Sequence, residues 1–336
     1  VIFDVNKLLF LRIDFMSKTK ISLLLFTAFM IFSVSLFCGP ETINPFRLTP
    51  TDREILLSIR LPRVIVAILM GMALGASGAV LQGILRNPLA DPYILGISSG
   101  SALTAALGLL SGFYFTVTMS IPLMALIGAT FASILVGALG WKRGGIWPER
   151  LLLAGVGLSF LFYALLMLLI SIAPGEGMRR AVLWIFGDLS IADWSLIPYG
   201  TLLIVTGLFI AIYRAKALNA LMLGDELAYS LGFSVHKERL LFFISVVIMT
   251  AASVSLGGTI GFIGLLIPHV VRFLIGADNR VLIPVSAFCG GAFLCFADLI
   301  GRSVMSPMEI PSGIITAIIG SPYFLYLLRK RDVLSA

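Results

Sequence analysis

The sequence predicts an all-α polytopic membrane protein with about ten transmembrane helices. Three observations carry that expectation. Of 336 residues, 59% are hydrophobic and only 12% are charged, whereas soluble domains carry about 25% charged residues. The mean hydropathy is +1.06. The apolar residues also recur in separate stretches from residue 21 to residue 328, so they do not form a single anchor. A hydrocarbon core of ~30 Å needs about 20 such residues at a rise of ~1.5 Å each.

Charges frame the spans, and Pro and Gly mark the turns between them. Span 1 is 21–38. No small-residue cleavage site follows it, and Phe37 before Cys38 suits lipoprotein processing poorly, so it reads as a retained span. Residues 1–15 precede Met16 and read as an upstream-start extension within a cytoplasmic segment 1–20. Span 2 is 64–85, framed by Arg63 and Arg86. The fifty uncharged residues between Asp91 and Lys142 hold spans 3 and 4, at 93–110 and 121–141. Spans 5 and 6 are 151–173 and 194–213. Gly257-Gly258 divides spans 7 and 8, at 240–257 and 260–275. Spans 9 and 10 are 281–297 and 311–328, ahead of a cytoplasmic tail at 329–336. Residues 21–328 form one domain.

Ten spans put both termini on one side. With a cytoplasmic N-terminus, that side holds seventeen of the 24 basic residues, including every lysine, as the positive-inside rule requires. The net charge of +7 is explained by these loops, since no basic stripe with interleaved aromatics points to nucleic acid. Two loops exceed a turn. The outer segment 174–193 is amphipathic and predicts a short interfacial helix. The inner segment 214–239 mixes apolar and charged residues at helical spacing, with breaks at Gly224 and Gly232. It is too polar for a span and too apolar for a linker, so a second protein is expected to cover it.

Absences narrow the function. Spans 1–7, 9 and 10 carry no Asp, Glu, Lys or Arg between their ends, which argues against a proton pathway. There is no G-x-x-x-x-G-K-[ST], H-E-x-x-H or G-x-S-x-G. No catalytic residue, metal ligand set or cofactor is therefore assigned. Cys38, Cys289 and Cys295 read as small hydrophobes. His236 and His269 read as hydrogen-bonding side chains and not as ligands. Gly71/Gly75, Gly108/Gly112 and Gly257/Gly261 have the small-residue spacing of close helix packing. The alternative functional class is a stand-alone secondary transporter or channel.

Three stretches resemble the BtuC/FecCD family of ABC-transporter permeases, the membrane subunits of importers for metal chelates. They are RLPRVIVAILMGMALGASGAVLQGILRNPLADPYILGISSG (60–100), LLLAGVGLSFLFYAL (151–165), and the C-terminal part from GDELAYSLGF to EIPSGIITAIIGSPYF. The resemblance implies a BtuC-like homodimer of twenty helices in a bacterial inner membrane, around a cavity walled mainly by spans 5 and 10. Two ATPase subunits holding ATP and magnesium would dock on the cytoplasmic side, and a periplasmic substrate-binding protein outside. Cargo would be an iron–siderophore, haem, cobalamin, or an oxyanion such as molybdate or tungstate. The resemblance assigns Arg60, Arg63 and Arg302 to docking of the binding protein. It assigns Gly224, Asp225, Glu226, Leu231 and Gly232 to ATPase coupling, and Asn87 and Leu89 to the inner gate. At the other gate position this chain has Pro148 and Glu149, where cobalamin-type members carry small hydroxyl residues.

Overall fold

The computed structural model describes residues 2–41, 43–111, 119–142, 145–173 and 175–334. Helix α1 (Ile2–Phe37) is unbroken, so the expected cytoplasmic segment and span 1 share one helix. Helix α2 (Pro50–Glu54) is capped reciprocally: Thr49 Oγ1 accepts from Asp52 N, and the Asp52 carboxylate accepts from Thr49 N. A wide π turn (Ile55–Arg60) then leads into α3 (Leu61–Ile84), with Leu61 N–H bonded five residues back to Leu56. Pro62, which has no N–H to give, follows at once.

Beyond α3 come α4 (Ile97–Leu110), α5 (Ser120–Gly140), a two-residue hairpin pairing Trp141 with Ile146, and α6 (Pro148–Ile172). The outer segment contains α7 (Gly175–Ile185), a short helix where one was expected. Helix α8 (Ile197–Tyr213) bends by 55° into α9 (Ala215–Leu223), followed by α10 (Asp225–Ser230). Helices α11 (Val235–Gly257), α12 (Ile263–Ile275), α13 (Asn279–Ser303) and α14 (Ser312–Leu334) complete the chain. The expected tail is thus helical to Leu334.

Among the described residues, six helices are long and apolar enough to cross a membrane, or seven if the bent pair α8–α9 is one span. Two helices, α4 and α12, are shorter than the apolar runs suggested. Helices α4 and α12 have 14 and 13 residues, a rise of only about 20 Å. The rest of each run lies in the 87–96 segment, with a 3-10 turn at Pro92–Leu95, and in the irregular stretch 258–262, both half-buried or buried. Span 9 errs the other way. Helix α13 continues past Ala297 through Asp298 and Arg302, because both charges find partners inside the protein.

Helix α3 is the core. It packs against α13, α11 and α12, and 78% of its apolar stretch is buried, against 17% for α6. Small residues make this approach feasible. A Cβ at Gly71 or Gly75 would lie 2.2 Å from the Gly290 or Ser286 carbonyl oxygen of α13. Gly112 lies outside the described residues, and a Cβ at Gly257 would meet the Met70 side chain. The three cysteines are free.

Gly71→Ala is expected to lower stability by about 2 kcal/mol through overpacking. Gly157→Ala in α6, where nothing lies within 4 Å, should be neutral or stabilising. Thermal unfolding of the two variants in detergent compares them directly.

Candidate functional site

The segment 214–239 is folded and held by polar contacts. Gly224 (φ 130°) and Gly232 (φ 85°) interrupt the helices as their residue type allows. Arg214 Nε donates to Glu238 at 2.9 Å. Asn219 donates to Asp278 at 2.8 Å and accepts from Asn279 N at 3.0 Å. The Arg280 guanidinium, helped by Asn219, holds the Asp278 carboxyl well below the usual carboxylate range, so it stays an acceptor at neutral pH. Asp225 accepts from Arg239 at 2.7 and 2.9 Å and from Arg86. Glu226, Leu231 and Gly232 are exposed. Leu223, Leu227, Tyr229 and Leu231 are each more than half exposed. A groove of about 840 Å³ lies between α10, the start of α11 and Trp147.

Asn87 builds the turn that follows α3. Its N–H bonds Gln82 O at 3.1 Å, its side-chain oxygen accepts from Leu89 N at 2.9 Å, and its carbonyl accepts from Ala90 N at 3.1 Å. Asn87 and Leu89 are half-buried in this turn. Pro148 and Glu149 instead open α6, half-buried and exposed respectively. Helix α6 presses on the same segment farther along, where a Cβ at Gly155 would lie 2.3 Å from Ile94 O.

A cavity of about 600 Å³ lies against α6. Tyr93, Phe160, Tyr163 and Phe262 contribute rings to it, Ser98, Ser99 and Ser159 hydroxyls, and Asp91 a carboxylate. Tyr93 Oη also accepts from Ile260 N at 2.7 Å, tying the two irregular segments together. Span 5 forms one wall of this cavity, and the facing wall is the 91–99 segment with the start of α12. None of these residues was singled out from sequence. The available signal was Val156, Ser159, Phe160 and Tyr163 in an i, i+3, i+4, i+7 series on one face.

At the opposite end the three expected docking arginines gather, all less than a tenth exposed. Arg63 makes a two-pronged pair with Asp298, at 3.0 and 2.8 Å, and meets Glu309 at 2.8 Å. Ser312 Oγ donates to the same Asp298 at 3.2 Å. Arg302 Nε lies 3.6 Å from Asp298, the i, i+4 pair that the sequence allows, and its other end bonds Ser35. Arg60 donates to the carbonyls of Leu36, Phe37 and Glu41. Among the described residues, no group of three His, Cys, Asp or Glu side chains could hold a metal ion.

Residues 22–330 match the profile of the FecCD transport family. The iron(3+)-hydroxamate import system permease protein FhuG of Bacillus subtilis is 39% identical over 90% of this chain and 94% of its own. The cobalamin import system permease protein BtuC of Halobacterium salinarum is 41% identical, over 86% of this chain and 77% of its own. The hemin transport system permease protein HmuU of Yersinia pestis is 40% identical, over 83% and 84%. Among solved structures, an inward-facing transporter assigned to the metal-chelate ABC type superposes with a TM-score of 0.84. It is 31% identical, over 92% of this chain and 98% of its own.

Asp298→Asn leaves Arg63 buried beside a neutral amide and is expected to cost about 4 kcal/mol. Glu309→Gln, at a carboxylate 40% exposed, should cost about 1 kcal/mol or less. Unfolding midpoints of the two variants measure the contrast.

Proposed function

The chain belongs to the FecCD transport family, and from that premise we propose that it is the membrane-spanning permease of an ABC importer for a metal chelate. It works as a homodimer with ten spans per chain, in a bacterial inner membrane with both termini cytoplasmic. Two ATPase subunits supply the energy and hold ATP and magnesium, while a periplasmic binding protein delivers cargo. The observation that carries this reading is the folded segment 214–239, with Leu223, Leu227, Tyr229 and Leu231 turned outward. An apolar face of that kind, framed by charges, is suited to contact with another protein. Gly224, Asp225, Glu226, Leu231 and Gly232 would form the core of the ATPase contact.

Cargo would pass the α6 cavity on its way to an inner gate formed by Asn87, Leu89, Pro148 and Glu149. Rings and hydroxyls with a carboxylate and no basic side chain suit a bulky chelate such as an iron–siderophore, haem or cobalamin better than molybdate or tungstate. Access alternates because the ATPase pair binds the two states with different free energy, as any driven shift requires. Outside, acidic groups of the binding protein would meet Arg60 and Arg302, whose partners here are mainly neutral oxygens. Arg63 is already matched by Asp298 and Glu309 and would hold the frame. Docking then requires the covering segment near Gly39 to yield, since it lies over both arginines.

The test is to express the chain with its candidate ATPase, purify through the permease and weigh the complex by native mass spectrometry. A two-plus-two assembly is expected, and a chain that retains no ATPase sinks the reading. Arg60→Gln should weaken binding-protein affinity by about fivefold at low salt and by less at ~1 M salt, where the Debye length is ~3 Å. Equal affinity at low salt would remove Arg60 from the docking surface.

A further inference from the structure

We propose that Arg86 is a positioning residue that passes movement of the ATPase-facing segment to the inner-gate turn 87–91. The proposal rests on the importer reading above and goes beyond it, because neither the gate nor the coupling assignments include Arg86.

The placement of Arg86 is unusual in three respects. Its backbone is left-handed, with φ 48°, one of two such non-glycine residues among those described. It stands at the hinge between the end of α3 and the turn built by Asn87. Its side chain reaches away from that turn to the coupling segment. Nε donates to Leu221 O at 2.8 Å, near the end of α9. The guanidinium pairs with Asp225, the first residue of α10. One side chain therefore spans the Gly224 break between α9 and α10, where the would-be Cβ meets nothing within 4 Å. Reorientation of α10 about Gly224 would pull on both contacts.

The other polar ties of the segment lead elsewhere. Arg214–Glu238 and Asp225–Arg239 fasten it to α11, and Asn219 fastens it to the start of α13. Arg86 leads to the gate. Within five residues the chain passes Asn87 and Leu89 to Asp91, and Tyr93 follows on the cavity wall. The turn is not anchored by Arg86 alone. Gln82, in the last turn of α3, bonds Gly264 O at 3.2 Å and Arg272 at 3.1 Å, and its own carbonyl takes the Asn87 N–H. Gln82 also reaches Ala90 O at 3.5 Å, so these contacts tie both ends of the turn to α3 and α12, and a pull at Arg86 enters at its first residue.

The Arg86–Asp225 pair is itself 41% and 45% exposed. An exposed pair is weak as a stabilising contact, so its loss should spare folding while uncoupling the two elements. Transmission through such a link is a coupling free energy between two sites and has to be measured as one.

The experiment uses the full chain with its ATPase subunits in nanodiscs and needs no cargo. Leu89→Cys reports on the turn through its rate of maleimide labelling, with the parent chain as background for Cys38 and Cys289. Arg86→Asn removes the link while keeping a residue that tolerates the left-handed backbone. Arg86→Lys retains a cation opposite Asp225. ATP with vanadate is expected to change the labelling rate of Leu89→Cys by about fivefold or more. Adding Arg86→Asn should shrink that change to less than about twofold while ATP hydrolysis by the complex continues, and Arg86→Lys should restore most of it. The proposal is overturned if Arg86→Asn leaves the ATP-dependent change intact, or if hydrolysis and labelling fall together with loss of the ATPase. It is also overturned if Leu89→Cys alone shows no ATP dependence. A parent chain that retains no ATPase subunit overturns the importer reading itself.

Discussion

Backbone contact between α3 and α13 sets the frame on which both polar ends depend. Gly71 and Gly75 leave no room for a Cβ against α13, and Gly290 returns the constraint from the other side with a Cβ position 2.2 Å from Gly71 O. Lipid supplies little hydrophobic drive for helices to pack on one another, so this close approach and the polar contacts at its ends must hold the pair. The approach delivers Arg63 of α3 to Asp298 of α13 at one end. At the other end, the 24 residues of α3, about 36 Å of helix, finish beside Arg86 and the 214–239 segment.

Irregular backbone is tolerated beside this strut because protein covers it. The 87–96 segment satisfies its groups locally through Asn87 and Asp91, and Tyr93 Oη takes the Ile260 N–H of the second irregular stretch. Two interrupted runs thus complete one another. The cavity lies where they meet the sparsely buried face of α6. The segments ahead of α4 and α12 that are not α-helical therefore place polar groups next to the apolar wall, which continuous helices would have kept apart.

Much of this was legible in the sequence, and the failures have identifiable causes. Apolar runs located every long helix, and Gly224 and Gly232 marked the interruptions of the inner segment, since both need φ values that other residues adopt rarely. Run length misjudged α4 and α12 because the residues before them that are not α-helical, 93–96 and 260–262, are as apolar as a helix. Stopping span 9 at its first charge failed for the converse reason: Asp298 sits inside a helix because Arg63, 235 positions away, neutralises it. No local pattern announces such a partner. The same distance hid Arg86, since its tie to Asp225 crosses 139 positions, and a basic residue at the end of a span ordinarily signals only topology.

The two ends differ in how firmly their charges are held, and that difference bears on where motion can begin. Asp298 is 1% exposed and Arg63 is 9% exposed, with hydrogen bonds from Arg63 and Ser312 completing the carboxylate. Breaking such a pair costs several kcal/mol, because each buried charge would be left with only its lesser partner, Glu309 for Arg63 and Arg302 for Asp298. Arg86 and Asp225 are both more than two-fifths exposed, and water compensates much of what their separation loses. The Arg214–Glu238 pair is intermediate, with one buried and one half-buried member. A push at the Arg63 end therefore meets a rigid, matched cluster, while a push on the 214–239 segment meets, at Arg86–Asp225, a pair that can exchange with solvent. For a chain driven by a partner at that end, weak pairs at the driven end and strong pairs at the opposite end allow the inner turn to move while the α3–α13 strut stays whole.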